Sequence, residues 1–190
     1  LLNWLARADS GALSAAVAVC SPLGLATCAD RMDRGLSRIY RRHLIGELLA
    51  NLRRQRRHLE TVAPDQARRL AALDLDGIRS FWQFDGRVIA PLYGFRDAAH
   101  YYAECSAGPR LPAIRTPTLM IQAEDDPFMT PAVLPGQGDL GPGVTLELSR
   151  QGGHVGFVRG TPGQPEYWLE QRLAAFAAGF TTVPLRSAAG

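Results

Sequence analysis

The sequence predicts an α/β fold built on a parallel sheet. Three observations carry that expectation. Short apolar runs that suit buried strands stand at residues 15–22 ("AAVAVCSP"), 118–123 ("TLMIQA") and 144–149 ("VTLELS"). Segments with apolar residues at spacings of three and four separate or flank them. The last two runs lead straight into turn-forming stretches, "EDDP" and "QGGHVG". Strands alternating with helices in this way form parallel sheets covered by helices.

The elements follow in order. Residues 1–8 read as the tail of an amphipathic helix, with Leu1, Leu2 and Leu5 on one side. The helix starts without an N-cap residue, and the chain starts without Met. The chain is therefore expected to be the C-terminal part of a longer protein, whose targeting signals would lie elsewhere. The run at 15–22 is a strand stopped by Pro22. Residues 31–60 form a long helical region in which Leu36, Ile39, Tyr40, Leu44, Leu48, Leu49 and Leu52 recur. "DQARRLAALDL" (65–75) is another helix, and "DAAHYYAECS" (97–106) a shorter one. Residues 81–95, "FWQFDGRVIAPLYGF", are aromatic and punctuated, and are expected to be more loop than helix. "PEYWLEQRLAAFAAGF" (165–180) is the last helix, and 181–190 a frayed tail.

Composition narrows the function classes. The 190 residues suffice for one domain with a sizeable core, and 46% hydrophobic with 21% charged residues is ordinary for a globular protein. No run of about 18 apolar residues is present, which excludes a spanning helix of ordinary length. Cys20, Cys28 and Cys105 have no metal-ligand spacing, so reduced thiols in a cytoplasmic protein are expected, with no metal. All 21 basic residues are Arg, which fits GC-rich coding. Nine of them lie in residues 31–60 against Asp33, Glu47 and Glu60, a local balance of +6 within a net charge of +3. The Leu periodicity there reads as a packed helix with a solvated Arg face. The same face suits peripheral contact with an anionic membrane, whereas no nucleic-acid motif accompanies it, so no nucleic-acid partner is expected.

Chemistry concentrates at two strand ends. In an open α/β sheet, functional groups gather beyond the carboxyl ends of the strands. Asp126 lies just after "TLMIQA" and His154 just after "VTLELS". Asp followed by His is the second half of the Ser…Asp…His order of α/β-hydrolases. In that chemistry His takes a proton from a serine and the acid orients it. Gly152 and Gly153 would allow the sharp loop this needs. The bland alternative for His154 is a histidine held in a glycine turn. Between the two aspartates, Asp126 is preferred for its place before Pro127, and Asp125 is read as turn-forming or Arg-pairing.

"FDGRVIAPLYGFRDAAHYYAECS", "IRTPTLMIQAEDDPF" and "QGGHVGF" together resemble the YheT branch of the α/β-hydrolase superfamily, with its embryogenesis-associated and ABHD-like esterases and lipases. The resemblance runs from "LLNWL" to "YWLEQRL". It implies the C-terminal part of an α/β-hydrolase fold, with a helical lid insertion. It also implies a serine-type carboxylic ester hydrolase, acting without a cofactor on small or glycerolipid-like esters. Carried over, Asp126 and His154 match the orienting acid and the base. The family's "GxSxGG" nucleophile elbow would immediately precede "LLNWL" and is not in this sequence. Neither Ser21, Ser106 nor Ser149 stands in an elbow, so these 190 residues alone are expected to be inactive. The expected organisation is a core helix and strand at 1–23, a lid at 24–112, a core with the Asp and His loops at 113–182, and the tail at 183–190. The rival readings are a non-catalytic hydrolase remnant or interaction module, and an epoxide or haloalkane hydrolase with an acid nucleophile at the same elbow.

Overall fold

The computed structural model describes residues 1–7, 13–161 and 163–180, so the expected tail at 181–190 lies outside the described residues. In chain order the elements are α1 (Leu2–Leu5), β1 (Ala16–Val19), α2 (Leu25–Met32), α3 (Ser37–Val62), α4 (Pro64–Ala71), α5 (Phe81–Phe84), α6 (Ala90–Tyr93), α7 (Ala98–Cys105), β2 (Thr118–Ala123), β3 (Val144–Ser149), β4 (Val158–Thr161), β5 (Gln164–Tyr167) and α8 (Trp168–Ala178). A π-helical turn, Asp85–Ile89, joins α5 to α6, and a 3₁₀ stretch, Gly108–Ala113, precedes β2. Among the described residues, no helix is long and apolar enough to cross a membrane.

The chain divides into two compact units. The first comprises Leu1–Ser21, Ala107–Pro127 and the chain from Leu134 onward. It holds a three-stranded parallel sheet in the order β1-β2-β3. β2 is central and every one of its residues is buried, as a strand paired on both sides requires. Two glycines set how β3 enters. A Cβ on Gly141 would stand 2.5 Å from the carbonyl oxygens of Leu111 and Ile114, and one on Gly143 2.4 Å from the Arg115 backbone. Only glycine lets the chain ride on that backbone. Gly143 then gives its carbonyl to Thr118 N–H at 2.7 Å, and Thr118 pairs with Val144 as the first rung of the ladder. At the other end, Ala123 pairs with Ser149, and Glu124 N–H continues to the Ser149 carbonyl at 2.9 Å. The same register thus brings the turns after β2 and β3 side by side.

The helix expected over 165–180 begins later. Residues 164–167 form β5, antiparallel to β4, with Pro165 opposite Gly160. Gly160 (φ +86°) makes this pairing; a Cβ there would lie 2.3 Å from the Gln164 carbonyl oxygen. The helix proper starts at Trp168 and is tied to β3 by a fork from Arg172 to Glu147, with Nε 2.9 and 3.0 Å from the two carboxylate oxygens.

The second unit, Pro22–Ser106 with Phe128–Val133, is helical. The long helical region expected at 31–60 is present, but it is broken at Gly35 (φ +52°) into α2 and α3. Ile45, Ile78, Phe84 and Val88 form one core, and Ala29, Ala98 and Tyr102 another. Residues 81–95 are helical rather than loop-like. Ser80 caps α5 by accepting from Gln83 N–H, and the wider π turn runs into α6. Pro91 falls in the first turn of α6, where its missing N–H costs little, and Gly94 (φ +78°) ends the run. Aromatic content masks a helix whose Phe81, Trp82 and Phe84 rings pack in the unit's own cores.

Asp85, on the π turn, accepts a hydrogen bond from the Tyr102 hydroxyl at 2.5 Å. Burial raises the carboxyl of Asp85 above its ordinary value, and the phenol bond opposes that rise. Burial likewise raises the Tyr102 hydroxyl, which keeps it the donor. Tyr102→Phe would leave a half-buried carboxylate without this donor. The expected cost is about 1–3 kcal/mol, read as a lower urea midpoint at neutral pH. An unchanged midpoint would show that the bond contributes nothing.

Candidate active site

The site is built from three strand ends of the first unit. β1 ends at Val19 and leads to Cys20; β2 leads through Glu124 to Asp125 and Asp126; β3 leads to the loop holding His154. Parallel strands in one register deliver all three to the same edge of the sheet.

The two expected site residues meet. His154 Nδ1 lies 2.9 Å from Asp126 Oδ2. A carboxylate can only accept, so this contact holds the imidazole proton on Nδ1. The burial of the two partners differs sharply, the Asp126 side chain being 1% exposed and that of His154 36%. The acid is fixed inside the unit, and the ring reaches from it toward solvent. Nε2 is then the nitrogen placed for proton exchange.

Asp125 does something else. Its Oδ1 accepts from Gly152 N–H at 2.9 Å and from Gly153 N–H at 2.8 Å. It stands in the turn after β2, as expected, and its carboxylate reaches across to the next loop. It clamps the start of the histidine loop onto the β2 turn. The loop closes on itself through Gly156 N–H and Phe157 N–H, which both donate to the Gly152 carbonyl, at 2.9 and 3.2 Å.

Each glycine in "GGHVG" answers a local demand. A Cβ on Gly152 would meet the Phe157 ring at 2.5 Å and Ala123 Cβ at 3.0 Å. Phe157 is itself buried and packs on Trp168, ring centroids 5.7 Å apart. Gly153 has φ +55°, which side chains disfavour. Val155 nevertheless adopts φ +66°, an unfavourable conformation for a β-branched residue. Strain is thus stored directly beside His154.

Cys20 is the residue that sequence reasoning did not place. Its backbone also has positive φ, +46°, and the residue is buried. Its sulfur donates to the Gly153 carbonyl oxygen at 3.7 Å and lies within 4.8 Å of a carboxylate oxygen of Asp126. Burial pushes the thiol up to about 11; the Val155 backbone opposes this, and the Asp126 and Asp125 carboxylates add to it. At neutral pH Cys20 is a thiol. The signal that could have found it is positional: like Asp126 and His154, it follows the end of a buried strand. No disulfide joins the cysteines.

Three serine hydroxyls among the described residues serve local structure. Ser149 donates to the Gln151 carbonyl at 2.5 Å, Ser106 to the Tyr102 carbonyl at 2.6 Å, and Ser80 caps α5. Ser21 offers its carbonyl to the Gln122 amide at 3.0 Å. Clefts occur in both units. One of about 860 Å³ lies in the helical unit, rimmed by Arg38, Arg42 and Arg79 over Ile45 and Ile78. One of about 380 Å³ lies in the first unit between β3, β4 and Trp168.

The chain is similar to YheT of Escherichia coli, provisionally named an esterase, with 40% identity over 161 residues, 85% of this chain and 46% of that protein. It is also similar to a monoacylglycerol lipase of Saccharomyces cerevisiae, 31% identical over 93% of this chain and 39% of that protein. A phospholipase ABHD3 of Mus musculus is 28% identical over 84% of this chain and 38% of its own length. The chain therefore spans less than half the length of these relatives. No family model and no solved structure matches it.

Two predictions test this construction. In Asp125→Asn the amide oxygen can still accept both loop N–H bonds, whereas Asp125→Ala loses them. Asp125→Ala should cost about 1–2 kcal/mol in urea denaturation, and Asp125→Asn clearly less; the opposite order would refute the clamp. Val155→Gly should be no less stable than the parent, because relief of a strain of about 1–3 kcal/mol offsets the added chain entropy. A clear drop in its melting temperature would show that Val155 is not strained.

Proposed function

We propose that this chain, which belongs to the α/β-hydrolase family of the YheT/ABHD type, carries the acid and base of a serine-type carboxylic ester hydrolase. The observation that carries the reading is the contact between His154 Nδ1 and Asp126 Oδ2 at 2.9 Å, with the acid buried and the ring reaching outward. In this reading the nucleophilic serine belongs to a part of the protein outside these 190 residues. Relatives named monoacylglycerol lipase and phospholipase support an ester or lipid substrate.

The proposed mechanism uses each group for one task. His154 Nε2 accepts the serine proton as the hydroxyl oxygen attacks the ester carbonyl. The imidazolium that forms is stabilised by the buried Asp126 carboxylate, which also keeps Nδ1 protonated beforehand. His154 then returns the proton to the departing alkoxide, leaving an acyl-serine. Water attacks this intermediate with His154 again as base, and the acid is released. Asp125 takes no proton in this scheme and acts only by holding Gly152 and Gly153. The helical segment is read as a lid-type insertion. Peripheral contact with an anionic membrane belongs to the same proposal. Its support is local: Leu36, Ile39 and Tyr40 are 79%, 69% and 52% exposed beside Arg38 and Arg42.

The test is hydrolysis of p-nitrophenyl acetate and butyrate by the full-length protein. His154→Ala and Asp126→Asn should each lower kcat by about 10³-fold or more, while Asp125→Asn should have a small effect. The 190 residues alone should not exceed free imidazole at the same concentration. Greater loss in Asp125→Asn than in Asp126→Asn would overturn the assignment of the acid. Full activity in His154→Ala would overturn the reading altogether.

A further inference from the structure

The Asp–His pair has a third neighbour that hydrolysis does not require. Cys20 Sγ, a carboxylate oxygen of Asp126 and a ring nitrogen of His154 all lie within 4.8 Å of one another. Sulfur, imidazole and carboxylate are the donors that thiophilic and borderline divalent cations select. Three protein ligands with a fourth position left for water form a complete tetrahedral set.

We propose that Cys20, Asp126 and His154 bind a thiophilic divalent cation, Zn²⁺ or Cd²⁺, and that the bound cation switches the site off. The binding stands on the geometry alone, and the switching rests on the hydrolase reading above.

Four features argue for it. The first is distance. Metal–ligand bonds of about 2.0–2.3 Å place donor atoms roughly 3.3–3.8 Å apart, so a spread within 4.8 Å closes by small side-chain rotations. The second is charge. The Asp126 and Asp125 carboxylates both act on the Cys20 sulfur, so the trio sits in a negative local field. The third is anchorage. Three adjacent strand ends supply the ligands, and the Asp125 clamp and the Cys20 contact with the Gly153 carbonyl tie the histidine loop to the other two. The fourth is access. Cys20 and Asp126 are 2% and 4% exposed, but the His154 side chain, at 36%, gives a cation a way in from solvent.

The step balances without redox chemistry. The cation exchanges its waters for the three donors, and the Cys20 thiol gives its proton to the buffer. A thiolate is formed only as the cation neutralises it. Coordination through Nε2 takes the lone pair; coordination through Nδ1 shifts that nitrogen's proton to Nε2 and ends its bond to Asp126, and either change prevents His154 from serving as a base.

The experiment is titration of the full-length protein with Cd²⁺ in a non-chelating buffer. One equivalent should raise the ultraviolet thiolate-to-cadmium charge-transfer band. Cys20→Ser should abolish it, while Cys28→Ser and Cys105→Ser keep it. X-ray absorption at the zinc edge of the wild-type protein should find one sulfur among nitrogen and oxygen ligands; this arm needs no variant to fold. Ester hydrolysis should fall about 100-fold or more on saturation, the range that a general base contributes, and return with a chelator. A band that survives Cys20→Ser, or a zinc shell without sulfur, would overturn the site. Hydrolysis that persists at saturation with the band present would overturn the switch. A band in a protein that hydrolyses no ester would leave the cation site standing and sink the hydrolase reading. Hydrolysis indifferent to Cd²⁺, with no band, would do the reverse.

Discussion

The register between β2 and β3 is the constraint on which the site depends. Ala123 sits opposite Ser149, and each strand then gives way to a turn at the same level. Asp125 and the first loop glycines are therefore neighbours in space although 27 and 28 positions apart in sequence. A slip by one residue would turn every side chain of a strand to the other face. Asp126 would leave the interior and His154 would lose its partner. The register is held at both ends. Gly143 docks on the backbone before β2, and Asp125 accepts two N–H bonds after it. Site geometry and sheet geometry are thus one problem, and the adjacent aspartates divide it: one fixes the loop, the other fixes the ring.

Much of this was legible because it rests on local patterns. The parallel strands follow from short apolar runs between helical segments, and β2, buried along its whole length, is the most continuous of them. Asp126 and His154 could be singled out because both follow strands directly. Their meeting could be expected from strand order alone. The helical character of residues 81–95 was not legible, since it depends on a cap at Ser80, a π turn and packing of rings that look punctuating in isolation. The β4–β5 hairpin was hidden for a similar reason. Pro165 looks like a helix start, and it becomes a strand residue only through its pairing with Gly160.

Asp125 shows what sequence reading loses when two residues of one type stand side by side. A carboxylate beside a turn is commonly a turn residue or an ion-pair partner. The N–H donors it accepts from lie on another loop, and no local pattern announces them. Cys20 was missed for the opposite reason. Cysteine spacing was tested along the chain, whereas its partners are reached across the sheet, through β2 and β3.

The strained backbone makes sense once those cross-sheet contacts are in view. Cys20 and Val155 are the non-glycine residues with positive φ among those described, and one contact joins their segments: the Cys20 sulfur lies 3.7 Å from the carbonyl oxygen of Gly153, two residues before Val155. Neither conformation is favoured locally, each costing on the order of 1–3 kcal/mol. Both are sustained by what lies around them. Phe157 is buried against Trp168 just beyond Val155, Gly152 accepts two closing N–H bonds, and Asp125 holds the loop's entrance. Packing and hydrogen bonding on either side thus over-determine the residues between. His154 lies between the clamp and the strained valine, which limits the freedom of its backbone. The imidazole is consequently held to Asp126 in advance, and under the proposed hydrolase reading little ordering of the base would remain for the reaction.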